Sequence, residues 1–160
     1  MGSIKDAAER FFDACETGKG WQGCQPYCHP GATFAAQADA LADVTTLEAY
    51  TEWMKGLMTI LPDGTAEVRS FSVDEARGNV SVFGVFRGTH TGEGGPVPPT
   101  GKSAEADYVY VMDFDGDKIG HMTKISGTTG SPCASWAGPS SSCFGVLSRA
   151  ERDQSRRNRD

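Results

Sequence analysis

The sequence predicts an α+β domain, an antiparallel sheet with helices packed on one face. Three observations predict it. Apolar residues recur at helical spacing in segments ahead of Pro62. From Ala66 to Ile125 the pattern changes to strand-like alternation. The links between the alternating runs are too short for parallel crossovers, so neighbouring runs pair antiparallel and the helices cover one face.

The elements follow in order. Ser3 and Asp6 form a capping-box-like pair. Ile4, Ala7, Ala8, Phe11, Phe12 and Cys15 then repeat at helical spacing, and Gly18 and Gly20 stop that helix. A short second helix is expected over Trp21–Cys28, a turn at His29-Pro30-Gly31 and a strand over Ala32–Gln37. Thr45 with Glu48 reads as a second capping box. Leu47, Tyr50, Met54, Leu57, Met58 and Leu61 continue that helix until Pro62-Asp63-Gly64 ends it. Four strands are expected next: Ala66–Asp74, Asn79–His90, Ser103–Phe114 and Lys118–Ile125. Glu75–Gly78 turns between the first two, and Asp115-Gly116-Asp117 makes a tight hairpin between the last two.

The chain has 160 residues, enough for one domain with a real core. Its formal net charge of −6 argues against nucleic acid or an anionic membrane as partner. No apolar run approaches a membrane span, and the N-terminal MGSIKDAAERFF lacks the apolar centre of a signal peptide. Asp6 stands where a myristoylation motif needs Ser or Thr. Five cysteines, Cys15, Cys24, Cys28, Cys133 and Cys143, form no disulfide framework, so reduced thiols in a cytoplasm are expected. Cys24-x-x-x-Cys28-His29 is not a zinc spacing, and a helix end with buried thiols accounts for it. No phosphate-cradling glycine motif and no nucleophile elbow occur, so neither a metal nor a cofactor is expected.

The longest link, Gly88–Lys102, reads GTHTGEGGPVPPTGK, with His90 where strand meets loop. Together with Thr45–Leu57 (TTLEAYTEWMKGL) and Asp113–Ile119 (DFDGDKI), the stretch Phe86–Lys102 makes the chain resemble a SnoaL-like polyketide cyclase from Trp21 to Ile125. That family lies within the nuclear transport factor 2-like α+β cone superfamily, and the resemblance points to a member encoded on a mobile gene cassette. It implies a curved antiparallel sheet wrapped around helices as a cone or barrel, with a deep cavity. His90 would then sit at the cavity rim, where a small molecule enters. A homodimer through the outer sheet face is also implied.

The domain is expected to span residues 1–125. Residues 126–160, SGTTGSPCASWAGPSSSCFGVLSRAERDQSRRNRD, show no periodicity and read as a tail. Relatives continue instead with a Trp-Asn-Asp-Gly turn and a Leu-Arg-x-Leu-Gly-Trp segment. Ile125–Gly138 can be encoded by codons whose shifted frame reads W-N-D-G-F-A-L-R-E-L-G-W. A small insertion or deletion near Ile125, or a chance match allowed by codon degeneracy, accounts for this. The gene sequence decides between them.

Strand parity sorts the candidate residues. On Ser103–Phe114 one face carries Ala104, Ala106, Tyr108, Tyr110, Met112 and Phe114; the other carries Glu105, Asp107, Val109, Val111 and Asp113. Val80, Val82, Gly84, Phe86, Gly88 and His90 share a face whose small residues leave room for a ligand. His90 matches the histidine of the cyclases' GTH motif, and a neutral imidazole can take and return a proton. Its structural reading is a capped rim histidine. The cyclases place an acid/base aspartate on the following strand, and here Tyr110 takes that position. Asp107 is the nearest acid but lies on the opposite face unless a bulge changes parity. Tyr108 and Tyr110 can hydrogen-bond a substrate oxygen or simply pack. His121, grouped with Ile119 and Thr123, is either a second acid/base or an exposed strand residue. Gln37 and Asp39 follow the first strand near the expected mouth. Trp21, Phe34, Tyr50, Trp53, Met58 and Phe86 suit a pocket lining by analogy, and core packing explains them equally well. Arg87 and Lys124 read as solvated or ion-paired charges.

Two functional readings stand foremost. The first is a cofactor-independent acid/base enzyme (cyclase, isomerase or hydratase/hydrolase type) on a small hydrophobic or polyketide-like carbonyl compound. It uses His90, Tyr110, Asp107 and His121. The second is a non-catalytic ligand-binding or dimeric interaction domain, favoured by the absent aspartate.

Overall fold

A computed structural model describes residues 3–38, 41–95 and 97–126. Asp39, Cys133, Cys143 and the expected tail from residue 127 onward therefore lie outside the described residues. Helix α1, Ile4–Glu16, starts at Ser3, whose side chain accepts from the Asp6 backbone N–H. Helix α2, Gly20–Cys24, runs into a single 3-10 turn, Gln25–Tyr27. Strand β1 is Cys28–Ala36, longer than expected. The turn expected at Pro30-Gly31 lies inside it, absorbed by a register break between Cys28 and Thr33. Helix α3, Leu47–Ile60, is capped by Thr46 rather than Thr45: the Thr46 hydroxyl accepts from the Ala49 N–H. Strands β2 (Thr65–Asp74), β3 (Asn79–Thr89), β4 (Ser103–Asp115) and β5 (Lys118–Ser126) follow as the expected meander.

The sheet order is β1-β5-β4-β3-β2, with β1 parallel to β5 and the other neighbours antiparallel. The sheet is curved and not closed, so β1 and β2 are its edges. The helices pack on the concave face. Phe11 and Phe12 of α1 and Leu47, Tyr50, Met54 and Leu57 of α3 meet Val80, Val82, Tyr110, Met112 and Met122 in one core. Each fully buried side chain of this size contributes about 1.5–3 kcal/mol. The parity expected for β4 holds: Tyr108, Tyr110 and Met112 are buried, while Glu105, Asp107 and Asp113 are exposed. Among the described residues no helix is long and apolar enough to cross a membrane.

One irregularity decides which residues of β5 face inward. Asp115 pairs with Lys118 and Phe114 with Ile119, but Asp113 pairs with His121. Gly120 is the extra residue. Beyond it the strand has changed phase, so Met122 opposes Met112 and Lys124 opposes Tyr110, both on the concave side.

Candidate functional site

Four polar groups meet on the concave face. Glu16, the last residue of α1, lies one helical turn past Phe12 on the buried stripe and is 5% exposed. Tyr110 donates its hydroxyl proton to Glu16 Oε1 at 2.5 Å. Tyr110 Oη and Tyr50 Oη are 2.5 Å apart. Tyr110 has one proton and gives it to the carboxylate, so Tyr50 is the donor in that second bond. Lys124 Nζ donates in turn to Tyr50 Oη at 3.1 Å. The result is a directed chain from the Lys124 ammonium through two phenols to a carboxylate, and its members come from β5, α3, β4 and α1.

Aromatic rings wrap this chain. Lys124 Nζ lies 5.4 Å from the Tyr50 and Tyr108 ring centroids, 5.8 Å from Trp53 and 5.9 Å from Tyr110. Phe34 stacks on Tyr50 at 4.2 Å, and Phe12 meets Tyr110 edge-on at 5.8 Å. The Tyr108 hydroxyl is buried; it makes no well-formed hydrogen bond among the described residues but lies near enough to Glu16 to help hold its carboxyl's pKa down. Gly84 provides the seat for that ring, since a Cβ there would stand 2.9 Å from Tyr108 Cζ and Oη.

The charges are poised. Burial raises the Glu16 pKa, opposed by the Tyr110 hydrogen bond and the Lys124 charge. Burial lowers the Lys124 pKa, opposed by Glu16 and Cys15. Burial also raises Tyr50 and Tyr110, so both stay protonated. Removing an ion from water costs several kcal/mol. Charge-assisted hydrogen bonds return about 1.5–3 kcal/mol each and cation–π contacts about 0.5–2 kcal/mol. Burial thus opposes both charges, and the contacts between the two ends of the chain support them.

His90 belongs to another corner. It is 1% exposed, and its Nδ1 lies 3.1 Å from Thr100 Oγ1. The loop closes over it: Gly101 N–H donates to the His90 carbonyl, and Gly92 N–H donates to the Ile60 carbonyl at the end of α3. The imidazole is thus neither turned into bulk water nor open at a rim. Helix α3 measures the separation. Tyr50 binds Tyr110 near one end, and Ile60 sits beside the His90 loop ten residues later, about 15 Å along the axis. His90 and Tyr110 are therefore not brought together.

The other expected site residues divide in the same way. Asp107 is exposed on the convex face opposite Val85, with no bulge in β4·β3 pairing to turn it inward. His121 also lies on the convex side, because the Gly120 bulge reverses the grouping with Ile119. Its ring nitrogens lie 2.7 Å from Thr33 Oγ1 and 3.1 Å from Thr123 Oγ1. Tyr50, Tyr108, Tyr110, Trp53 and Phe34 do gather at the inner cluster, and the exposed Gln37 donates its backbone N–H to the Lys124 carbonyl. Met58 and Phe86 both approach Gly64 beyond the C-terminal end of α3, and the Trp21 N–H donates to Glu52 on the helix side. The room expected over the strand glycines is filled, by Tyr108 at Gly84 and by Leu61 at Gly88. A polar groove of about 410 Å³ lies at the ends of β2, β3 and β4, but its Arg87 is already ion-paired to Glu67 and Glu105.

Glu16 and Lys124 are the residues that sequence reasoning missed. A carboxylate continuing the Phe12 stripe was a visible signal for Glu16. Lys124 had none, because its orientation depends on a bulge.

Comparison with known proteins places this fold. No curated protein matches the chain. Among solved structures, AclR of Streptomyces galilaeus, a proposed hydroxylase, superposes with a TM-score of 0.65 at 19% identity, covering 83% of this chain and 93% of that one. IdmH of Streptomyces antibioticus, a proposed polyketide cyclase, gives 0.60 at 23% identity, covering 78% and 92%. AusH of Aspergillus nidulans gives 0.61 at 13% identity, covering 89% and 88%. These likenesses establish the fold. The model of the SnoaL-like polyketide cyclases matches residues 6–126, about three quarters of the sequence, and the chain belongs to that family.

Proposed function

We propose that the inner cluster is the acid/base centre of a cofactor-independent protein of cyclase or isomerase type, acting on a small apolar carbonyl compound. The observation that carries this reading is the directed chain from Lys124 through Tyr50 and Tyr110 to Glu16 inside an aromatic shell. Forming or breaking a carbon–carbon bond beside a carbonyl needs a proton taken from carbon and a developing oxyanion held. A proton received at the Lys124 end passes along the phenols to Glu16 and returns by the same path. The Tyr108 hydroxyl, buried within the same shell, is the donor for the enolate oxygen.

The test is α-proton exchange of 2-tetralone in deuterated buffer, followed by proton NMR. Exchange above the buffer rate, lost in Tyr110→Phe, is the expected result. Exchange no faster than buffer across a panel of aryl ketones removes the reading. So does exchange that Tyr110→Phe leaves intact. The same reading keeps two copies of the chain joined through the convex sheet face, where Phe83 and Ile125 are 37% and 40% exposed. Gel filtration checks that assembly.

A further inference from the structure

We propose that Lys124 is a covalent site, an amine that condenses with the carbonyl carbon of an aldehyde or ketone to form an imine. This rests on the acid/base reading above and deepens it by naming the atom that engages the substrate.

Three observations carry it. Lys124 is the one member of the hydrogen-bonded chain that keeps part of its surface exposed, along its stem, whereas Glu16, Tyr50 and Tyr110 are buried, so a carbonyl compound would approach the amine from that side. The Nζ sits among the rings of Tyr50, Trp53, Tyr108 and Tyr110, which would hold the apolar body of a carbonyl compound against the amine. Finally, an ammonium is not a nucleophile, and this one has a proton outlet through Tyr50 and Tyr110 to the Glu16 carboxylate. Burial of the ammonium favours giving up that proton. The groups that face Lys124 are Glu16 and Cys15 from α1, Tyr50 and Trp53 from α3, and Tyr108 and Tyr110 from β4.

The step balances. One ammonium proton moves along the chain to Glu16 and leaves a neutral amine. The nitrogen lone pair attacks the carbonyl carbon, and the C=O π pair goes to oxygen. A proton passes from nitrogen to that oxygen, giving a neutral carbinolamine. The Glu16 proton then returns through the phenols to the hydroxyl, which leaves as water while nitrogen closes the C=N⁺ bond. Ammonium plus carbonyl has become iminium plus water, and Glu16 is again a carboxylate. No oxidant or metal enters.

Reductive trapping tests it. The intact protein is incubated at neutral pH with phenylacetaldehyde and sodium cyanoborohydride, digested, and mapped by mass spectrometry. Lys124 should carry the reduced adduct at least ~10-fold faster than the exposed Lys5, Lys19 and Lys55, which lack the proton outlet and the ring of aromatic contacts. Glu16→Gln, which keeps the amine but removes the proton acceptor, should slow labelling at Lys124 and leave the surface lysines unchanged. Labelling of Lys124 no faster than of Lys5 overturns the proposal. With tetralone exchange intact, that outcome leaves the acid/base reading standing and removes only the covalent step. Selective labelling without exchange does the reverse.

Discussion

The protein buries polar chemistry in two places, and they are built differently. The His90 corner is local: the imidazole and its Thr100 partner are ten residues apart, and the loop between them folds back onto the end of α3. The Glu16–Tyr110–Tyr50–Lys124 chain is assembled from distant segments, with Glu16 and Tyr110 separated by 94 residues and Tyr50 and Lys124 by 74. A local polar group can be satisfied by its own loop and serve to hold that loop. A chain that gathers a carboxylate and an ammonium out of water has no such local reason, since hydrophobic residues of the same volume are often no less stabilising. The difference points to chemistry in the second place and to architecture in the first.

The sharpest way to break this contrast is Tyr110→Phe. It removes one hydroxyl and leaves the Glu16 carboxylate and the Tyr50 proton without their partner. Ketone exchange should fall by at least ~100-fold, and urea denaturation should show a loss of about 2–3 kcal/mol. If exchange persists, the interior chain is no more than packing.

The loop side has its own largest effect. A Cβ on Gly92 would overlap the Thr59 carbonyl oxygen, so Gly92→Ala must lift the loop from α3. The expected cost is about 2–3 kcal/mol, measured by the same denaturation, with the exchange rate of the folded fraction unchanged. A milder cut at the same corner is His90→Ala, which loses a hydrogen bond of about 1 kcal/mol plus buried packing, about 2 kcal/mol together. Exchange should stay within about twofold of wild type, because the cluster is about 15 Å away along α3. A collapse of exchange in His90→Ala would return catalysis to the rim.

The subtlest comparison is one of pH. Burial raises the Glu16 pKa, ahead of the opposing Tyr110 hydrogen bond and Lys124 charge. Unfolded, the carboxyl ionises near ~4.3. Above that value and up to the folded pKa, the folded chain holds a proton that the unfolded chain has lost. Glu16 therefore contributes a fall in stability as pH rises through that window, with a slope of at most ~1.4 kcal/mol per pH unit. Melting curves of Glu16→Gln at several pH values should lack that component. An identical pH profile in both proteins would show that the carboxyl is not desolvated.

What was legible in the sequence follows from range of interaction. Helix α3 and the meander could be read because their signals, the Leu47–Leu61 spacing and the Asp115-Gly116-Asp117 turn, are written within one element or between neighbours. The inward set Tyr108, Tyr110 and Met112 could be read because parity within an unbroken strand is fixed. Thr46 caps rather than Thr45 because either hydroxyl can accept from the N–H three residues on, and the helix starts one residue later than the Thr45–Glu48 pair suggests. Tyr110 and Tyr50 were named as separate candidates, but nothing local says that they touch. The sequence leaves His121 between an inward acid/base and an exposed strand residue, and Lys124 as an ordinary charge, because the neighbours on β5 define no inner face until the Gly120 bulge is known.

That glycine makes β5 a strand with two readings. Paired straight through with no bulge, the side turned toward the helices would offer an imidazole and a hydroxyl, His121 and Thr123. With it, the same nine residues offer a thioether and an amine, Met122 and Lys124. Bulging at Gly120 or pairing straight through it therefore exchanges the inward set of the strand without altering a single side chain. Relatives aligned by residue count from the hairpin, without regard to this toggle, would be credited with the wrong set.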